Sequence, residues 1–184
     1  MPEESDSRSA TLILETPRLI LRTWTLEDVP AAGLFYGDPE VMRFLGGKAL
    51  ATPEEVREKV AKRIAHQQKH GFSLWAVIEK ATGRLIGACG LTHLEDGPEV
   101  EVGYHFARDV WGQGFATEAA SACMRLGFER LGLARIVGVV DPANLTSKRV
   151  LEKIGLVFER PGHHYNHDVL RYVAERSEYV PRAT

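Results

Sequence analysis

Cysteine is scarce in this chain. Only Cys89 and Cys123 occur in 184 residues, far apart and in no CxxC pattern. That scarcity excludes a structural zinc site built on cysteine and argues against a disulfide-stapled scaffold. Long hydrophobic runs are missing as well. No stretch approaches ~18 consecutive apolar residues, so no membrane-spanning helix is expected, and the polar segment from Met1 to Ala10 lacks the apolar core of a signal peptide. Neither sign of charge dominates: Lys and Arg total 23, Asp and Glu 25, for a net charge of -2. Such a balance disfavours a domain devoted to wrapping nucleic acid. There are no internal repeats and no linkers rich in Pro, Gly or Ser. What is present, 44% hydrophobic and 26% charged residues, is ordinary globular composition at a length suited to one domain. The expectation is a flexible tail over residues 1–10, a single domain over 11–184 and a cytoplasmic location. Either an enzyme or a small-ligand binding protein fits this arithmetic.

Local signals predict a mixed sheet covered by helices. Thr11 to Trp24 reads as an extended strand made irregular by Pro17. Short helices are expected from Thr25 and from Asp38-Pro39, the second stopped by Gly46-Gly47. The strongest helix start is Thr52-Pro53-Glu54-Glu55, a capping box with proline at the first helical position. Val56, Val60 and Ile64 follow at four-residue spacing, and His70-Gly71 ends the run. Phe72 to Glu79 and Arg84 to Leu91 read as a hairpin. Glu99 to Phe106 reads as the fourth strand, with Val100, Val102 and Tyr104 on one face and Glu99, Glu101, Gly103 and His105 on the other. A helix with a stripe of small and apolar residues from Ala116 to Leu131 follows. Then come a buried-type strand over Ala134 to Val140, a helix opened by Asn144 and closed by Gly155, and strands over Leu156 to Arg160 and Asp168 to Val173, with Pro161-Gly162 between them.

The segment Trp111-Gly112-Gln113-Gly114-Phe115-Ala116-Thr117 lies between a strand and a helix. Free N–H groups of the first helical turn point back at such a loop, and glycines let an anion approach the backbone. An ordinary glycine turn accounts for the same residues. The segment lacks the third glycine of a dinucleotide fingerprint and the GK[ST] of a P-loop.

Taken in order, Glu101-Val102-Gly103-Tyr104, then Trp111 to Ala119, then Asn144, Ser147, Lys153 and Ile154-Gly155-Leu156 resemble the GNAT superfamily of N-acetyltransferases. The closer likeness is to its RimJ/RimL-type branch. Thr16-Pro17-Arg18-Leu19, Leu21-Arg22, Leu85-Ile86-Gly87 and Gly90-Leu91 add to the resemblance, which runs from about Leu12 to Val173. It implies an α/β acyl-CoA N-acyltransferase fold: a twisted, mostly antiparallel sheet with a splayed fourth strand and about four flanking helices. It also implies acetyl-CoA as cosubstrate; no metal is expected, on the reading of the histidines given below. The backbone of Tyr104, His105 and Phe106 would pair with the pantetheine arm. In the pyrophosphate loop Trp111 takes the first position, Gly114 the invariant one and Ala116 the last. The amides of Gly112, Gln113, Gly114, Phe115, Ala116 and Thr117 would hold the pyrophosphate. Trp111 departs from the Gln or Arg of the superfamily but suits this branch. Asn144 would contact the coenzyme arm, although a plain helix cap explains it equally.

Acetyl transfer needs a neutral amine, a base for its proton, and donors for the oxyanion and the leaving thiolate. Glu101 is the first candidate base, directly or through water, with a surface strand carboxylate or a substrate-ammonium anchor as the other readings. The tyrosine that many relatives use as acid falls here on Leu151, and the glutamate of another branch falls on Val139. Ser147 is the remaining candidate donor to the sulfur. His163, His164 and His167 with Asp168 have the right side chains for zinc. They lie in loop and strand without a helical H-x3-H pair, so they are expected to line the substrate cleft or a hairpin instead. Phe35, Tyr36, Phe44, Phe72 and Trp75 are either acceptor-pocket walls or core. Cys89 and Cys123 fall on apolar faces and are poor nucleophiles, which favours direct attack in a ternary complex.

The acceptor implied is a primary amine, either a protein N-terminus or a small molecule, with neither nucleic acid nor membrane as partner. A homodimer is compatible with the resemblance, but no sequence feature marks an interface. The alternative is a catalytically silent acyl-CoA binding module, which would keep Gly112, Gly114 and Asn144 and is slightly favoured by Leu151.

Overall fold

The computed structural model describes residues 9–45 and 47–180. Most of the expected tail, and Gly46, lie outside the described residues. Eight strands form one sheet in the order β1-β2-β3-β4-β5-β6-β8-β7. They are β1 (Leu12–Glu15), β2 (Leu19–Arg22), β3 (Leu74–Glu79), β4 (Leu85–His93), β5 (Val100–Phe106), β6 (Arg135–Val140), β7 (Val157–His164) and β8 (His167–Glu175). The helices are α1 (Val29–Tyr36), α2 (Pro39–Met42), α3 (Pro53–His70), α4 (Phe115–Arg125) and α5 (Leu145–Lys153). All neighbouring strands run antiparallel except β5 and β6, which are parallel. This is the mixed, mostly antiparallel GNAT-type sheet expected, and the strand counted as fourth is β5.

Period-two alternation sends one face of the sheet to each helical layer. Trp75, Val77, Cys89 and Leu91 pack with Ala119, Ala120, Cys123 and Met124 of α4 and with Leu151 of α5. Leu74, Ala76 and Ala88 pack on the other side with Phe35, Tyr36, Val56 and Val60 of α1 and α3. Both cysteines are free and buried. Their sulfurs lie 3.8 Å apart, and burial holds the Cys89 thiol well above its usual range. The chain starts α3 as its sequence dictates: Thr52 Oγ1 accepts from the Glu55 amide at 3.2 Å, and Glu55 Oε2 accepts from the Thr52 amide at 3.1 Å. Gly71, at φ +78°, ends the helix in the left-handed conformation.

Two expectations about strands are corrected. Thr11 to Trp24 is not one irregular strand but a hairpin, with β1 and β2 paired around the Thr16–Arg18 turn. Pro161-Gly162 does not separate the last strands. Pro161 sits inside β7 opposite Leu170, which is tolerated because β7 is the sheet edge and needs no donor on its outer side. The hairpin turns instead at Tyr165 and Asn166, at φ +53° and +61°, the handedness that suits a tight two-residue turn.

Leu151 is 2% exposed on α5. Its methyls fill the space over Gly138, where a Cβ would come within 2.7 Å of them. The Leu151→Ala variant is expected to lose about 2–5 kcal/mol of stability. In urea unfolding this appears as a lower midpoint at unchanged slope.

Candidate functional site

The parallel pair β5–β6 has one register match, Glu101 opposite Val137. Beyond it the strands part. On its other side β5 stays paired with β4 through Phe106, and the Ala107 amide donates to the Ile86 carbonyl. Antiparallel ladders alternate, so residues 101, 103 and 105 turn their peptide groups to β4, while 102, 104 and 106 turn theirs toward the gap. The Phe106 carbonyl accordingly reaches out to accept from Trp111 Nε1 at 2.8 Å. Tyr104 and Phe106 therefore offer backbone groups to the gap. His105, expected beside them, turns its peptide groups to β4.

The glycine loop closes one end of the gap. Gly112 and Gly114 sit at φ +77° and +80°, a conformation glycine adopts without steric cost. A Cβ on Gly112 would meet nothing within 4 Å, and one on Gly114 only Arg18 Nη2 at 3.5 Å. Among the described residues the amides of Gly112, Gln113 and Gly114 donate to no carbonyl outside the regular elements, and the first intrahelical bond of α4 runs from Glu118 N to Gly114 O. The amides from Gly112 to Thr117 thus form an open cradle of donors that an anionic pyrophosphate fits.

The Thr16-Pro17-Arg18-Leu19 segment braces this cradle. Buried Glu118 accepts from Thr16 Oγ1 at 2.6 Å, from the Arg18 amide at 3.0 Å and from Arg18 Nε at 2.6 Å. Burial alone would raise the Glu118 carboxyl, but these donors hold it below its usual range. Arg18 Nη1 also donates to the Gln113 carbonyl at 2.9 Å, and its guanidinium lies 4.4 Å from the Phe115 ring centre. Glu118 falls inside the Trp111-to-Ala119 segment but was given no role, because an acidic residue on the fourth position of a helix carries no signal of burial.

At the other end Asn144 caps α5, with Oδ1 accepting from the Ser147 amide at 3.1 Å. Tyr104 Oη donates to the Ser147 carbonyl at 2.9 Å and lies 3.0 Å from Ser147 Oγ. Burial keeps the Tyr104 phenol well above its ordinary range, so it stays a proton donor. The structure thus brings Tyr104, Ser147 and Asn144 together. Leu151 is core, and Val139 lies on β6 opposite Arg171.

Glu101 stands at the parting of the strands and is 7% exposed. Burial pushes its carboxyl up from 4.5 to about 7, against the pull of a hydrogen bond from Tyr165 and of the Arg63 charge. Tyr165 Oη donates directly to Glu101 Oε1. Glu95 seats that tyrosine: it accepts from the Tyr165 amide at 2.7 Å and pairs with His164 Nδ1 at 2.8 Å. Tyr165 was missed because a hairpin tip gives no sequence sign of the face it will cover. His163, His164, His167 and Asp168 do lie on a hairpin, as one reading had it, but they do not converge. His163 pairs with Asp168 at 3.0 Å, and His167 contacts the Tyr165 carbonyl at 3.1 Å.

His105 is buried against Tyr36, with ring centres 5.0 Å apart. Desolvation, then the charges of Arg63 and Lys59, push its imidazole down to about 3. His105 Nε2, Tyr36 Oη and Arg63 Nε are buried and make no hydrogen bond among the described residues. Phe35, Phe72 and Trp75 are core.

A family model described as the acetyltransferase (GNAT) domain matches residues 18–157. The chain belongs to the GNAT family. It is an acetyl-CoA-dependent acetyltransferase. It is 36% identical to the Bacillus subtilis (strain 168) protein YkkB over 171 residues, covering 90% of this chain and 96% of that one. Among solved structures, a GNAT-family acetyltransferase from Bacillus anthracis superposes with a TM-score of 0.78 at 27% identity, covering 90% and 99% of the two chains. RimL, a ribosomal L7/L12 alpha-N-protein acetyltransferase in complex with coenzyme A, has a TM-score of 0.77 at 20% identity and covers 90% and 98%. At that identity the likeness is one of fold, and RimL does not stand apart from the other GNAT structures. No helix among the described residues is long and apolar enough to cross a membrane.

The Glu101 carboxyl is raised on folding, so protonation favours the folded state. Its contribution is fully present below pH 4.5 and is lost as pH rises through about 7. Relative to Glu101→Gln, the wild-type stability is expected to fall across that window and level off above it, measured by urea unfolding. Tyr165→Phe removes a donor that lowers the carboxyl, so the Glu101 titration midpoint should move to higher pH, read by carbon-13 NMR of glutamate-labelled protein.

Proposed function

We propose that this acetyltransferase acts on a primary amine, either a protein N-terminal α-amine or a small-molecule amine, by direct attack in a ternary complex. One observation carries the reading: a carboxyl held near pH 7 by burial stands where β5 leaves β6. A base matched to the working pH is most effective at accepting the proton that the attacking amine must lose. Acetyl-CoA supplies the acetyl group as an activated thioester. The peptide groups of Tyr104 and Phe106 would pair with its pantetheine arm, the amides from Gly112 to Thr117 would hold its pyrophosphate, and Asn144 would contact the arm from α5. Arg18, beside Gly114, adds positive charge there. With no tyrosine at position 151, the Ser147 hydroxyl, oriented by the protonated Tyr104, is the donor proposed for the departing sulfur.

His105 belongs to the acceptor side in this reading. Its neutral ring, with Tyr36 and Arg63, leaves buried polar atoms unpartnered. Unpaired buried groups are costly, which favours an acceptor that brings polar atoms of its own.

Two variants separate the roles. Glu101→Gln is expected to lower turnover by about 10²-fold or more with coenzyme affinity nearly intact, assayed by thiol release and calorimetry. Gly114→Asp is expected to weaken coenzyme binding, because a Cβ and a negative charge would meet the pyrophosphate. Unchanged turnover in the first would remove Glu101 as base, and unchanged affinity in the second would remove the loop from the site. Tight coenzyme binding without acceptor-dependent thiol release, over a broad panel of peptides and small amines, would favour a silent binding module.

A further inference from the structure

Three histidines that no step above uses meet where the last turn of α3 reaches the end of β4. His66 and His70 are one helical turn apart on α3, and His93 ends β4. One ring nitrogen from each lies within 4.8 Å of the others, and all three residues are half-buried. His66 Nε2 and His93 Nδ1 are 3.3 Å apart. Tetrahedral zinc with Zn–N bonds of about 2.0–2.1 Å sets neighbouring donors roughly 3.3–3.4 Å apart, so this pair already has the required spacing. For the proposed site, the His70 ring would have to rotate to bring its nitrogen from within 4.8 Å to that spacing.

The tautomer of His66 is fixed by its surroundings. Its Nδ1 lies 2.7 Å from the Phe72 carbonyl, which can only accept, so Nδ1 carries the proton and Nε2 presents its lone pair. This is the outer-shell arrangement that orients a histidine toward a metal. Around Nε2 the Thr92 hydroxyl is at 3.3 Å, the His93 amide at 3.4 Å and His93 Nδ1 at 3.3 Å. All are longer than a normal hydrogen bond, so the lone pair is surrounded without being well satisfied. Asp96 and Lys69 are the charged side chains that act on the rings, with opposite signs.

We infer that His66, His70 and His93 form a binding site for one zinc-like divalent cation, which ties the C-terminal turn of α3 to the end of β4. An all-imidazole set suits zinc, copper or nickel and disfavours magnesium or calcium, which take oxygen ligands. Three ligands leave a coordination position for water. The site adjoins the acetyl-transfer residues without sharing any of them: Thr92, which contacts His66, is the cross-strand partner of Glu101.

The sequence expectation of no metal rested on the His163–Asp168 segment. The H-x3-H pair on a helix, the signal found lacking there, occurs instead at His66 and His70.

The test uses tag-free, chelator-stripped full-length protein titrated with Zn2+ against a chromophoric chelator, and with Co2+ read by its visible absorption. The expected result is one equivalent per chain, a tetrahedral-type Co2+ spectrum and a higher Tm with Zn2+. His70→Ala and His93→Ala should each weaken binding at least about tenfold and abolish the Tm rise, while circular dichroism shows the fold retained. His163→Ala should bind as the wild type does. No stoichiometric binding overturns the site. So does binding that survives both variants, or that is lost in His163→Ala instead.

Discussion

The parting of β5 from β6 is the constraint on which the rest of the molecule depends. One ladder pair joins the two strands, Glu101 opposite Val137. Past it the sheet no longer pairs the peptide groups of Tyr104 and Phe106 on that side, and of these the Phe106 carbonyl finds a partner in Trp111 Nε1; backbone groups left unpaired are costly when buried. In the proposed site, the amide groups of the coenzyme's extended arm would resolve that cost. The elements at the ends of the gap fit the same ligand: the positive-φ glycines open the amides before α4, and Asn144 sets the start of α5.

Several charged groups are placed to keep this arrangement fixed. Glu118 draws Thr16 and Arg18 onto the glycine loop, so the β1–β2 turn braces a segment about a hundred residues away in sequence. On the other side Arg171, 2% exposed, pairs with Glu99 at 2.8 Å and Glu159 at 3.1 Å and meets His164 Nε2 at 3.1 Å. Only Arg171 is buried in these pairs, and its charge left without its partners would be costly. Here they seat the β7–β8 hairpin whose Tyr165 covers Glu101. Glu101, the proposed base, is thus desolvated by one part of the fold and given a hydrogen bond by another, and the balance leaves its carboxyl raised to about 7.

Much of this was legible in the sequence because the signals were local. The Thr52–Glu55 box, the alternation along β5 and the two glycines before Phe115 each report a backbone requirement that no distant contact overrides. Pro161 misled because its effect depends on whether β7 is an edge or a central strand, and that is a property of the whole sheet. Glu118, Arg63 and Tyr165 were invisible for a related reason: their roles come from elements far apart in sequence. The His66–His70 spacing was readable, but its third member, His93, is supplied only when β4 packs beside α3.

The central claim is that burial at the parting of β5 and β6 holds the Glu101 carboxyl near neutrality. It is tested most directly by titrating that carboxyl itself, with carbon-13 NMR of glutamate-labelled protein and Glu101→Gln to assign the resonance. The account predicts a midpoint of about 7. A midpoint near 4.5, the ordinary value for glutamate, would contradict it.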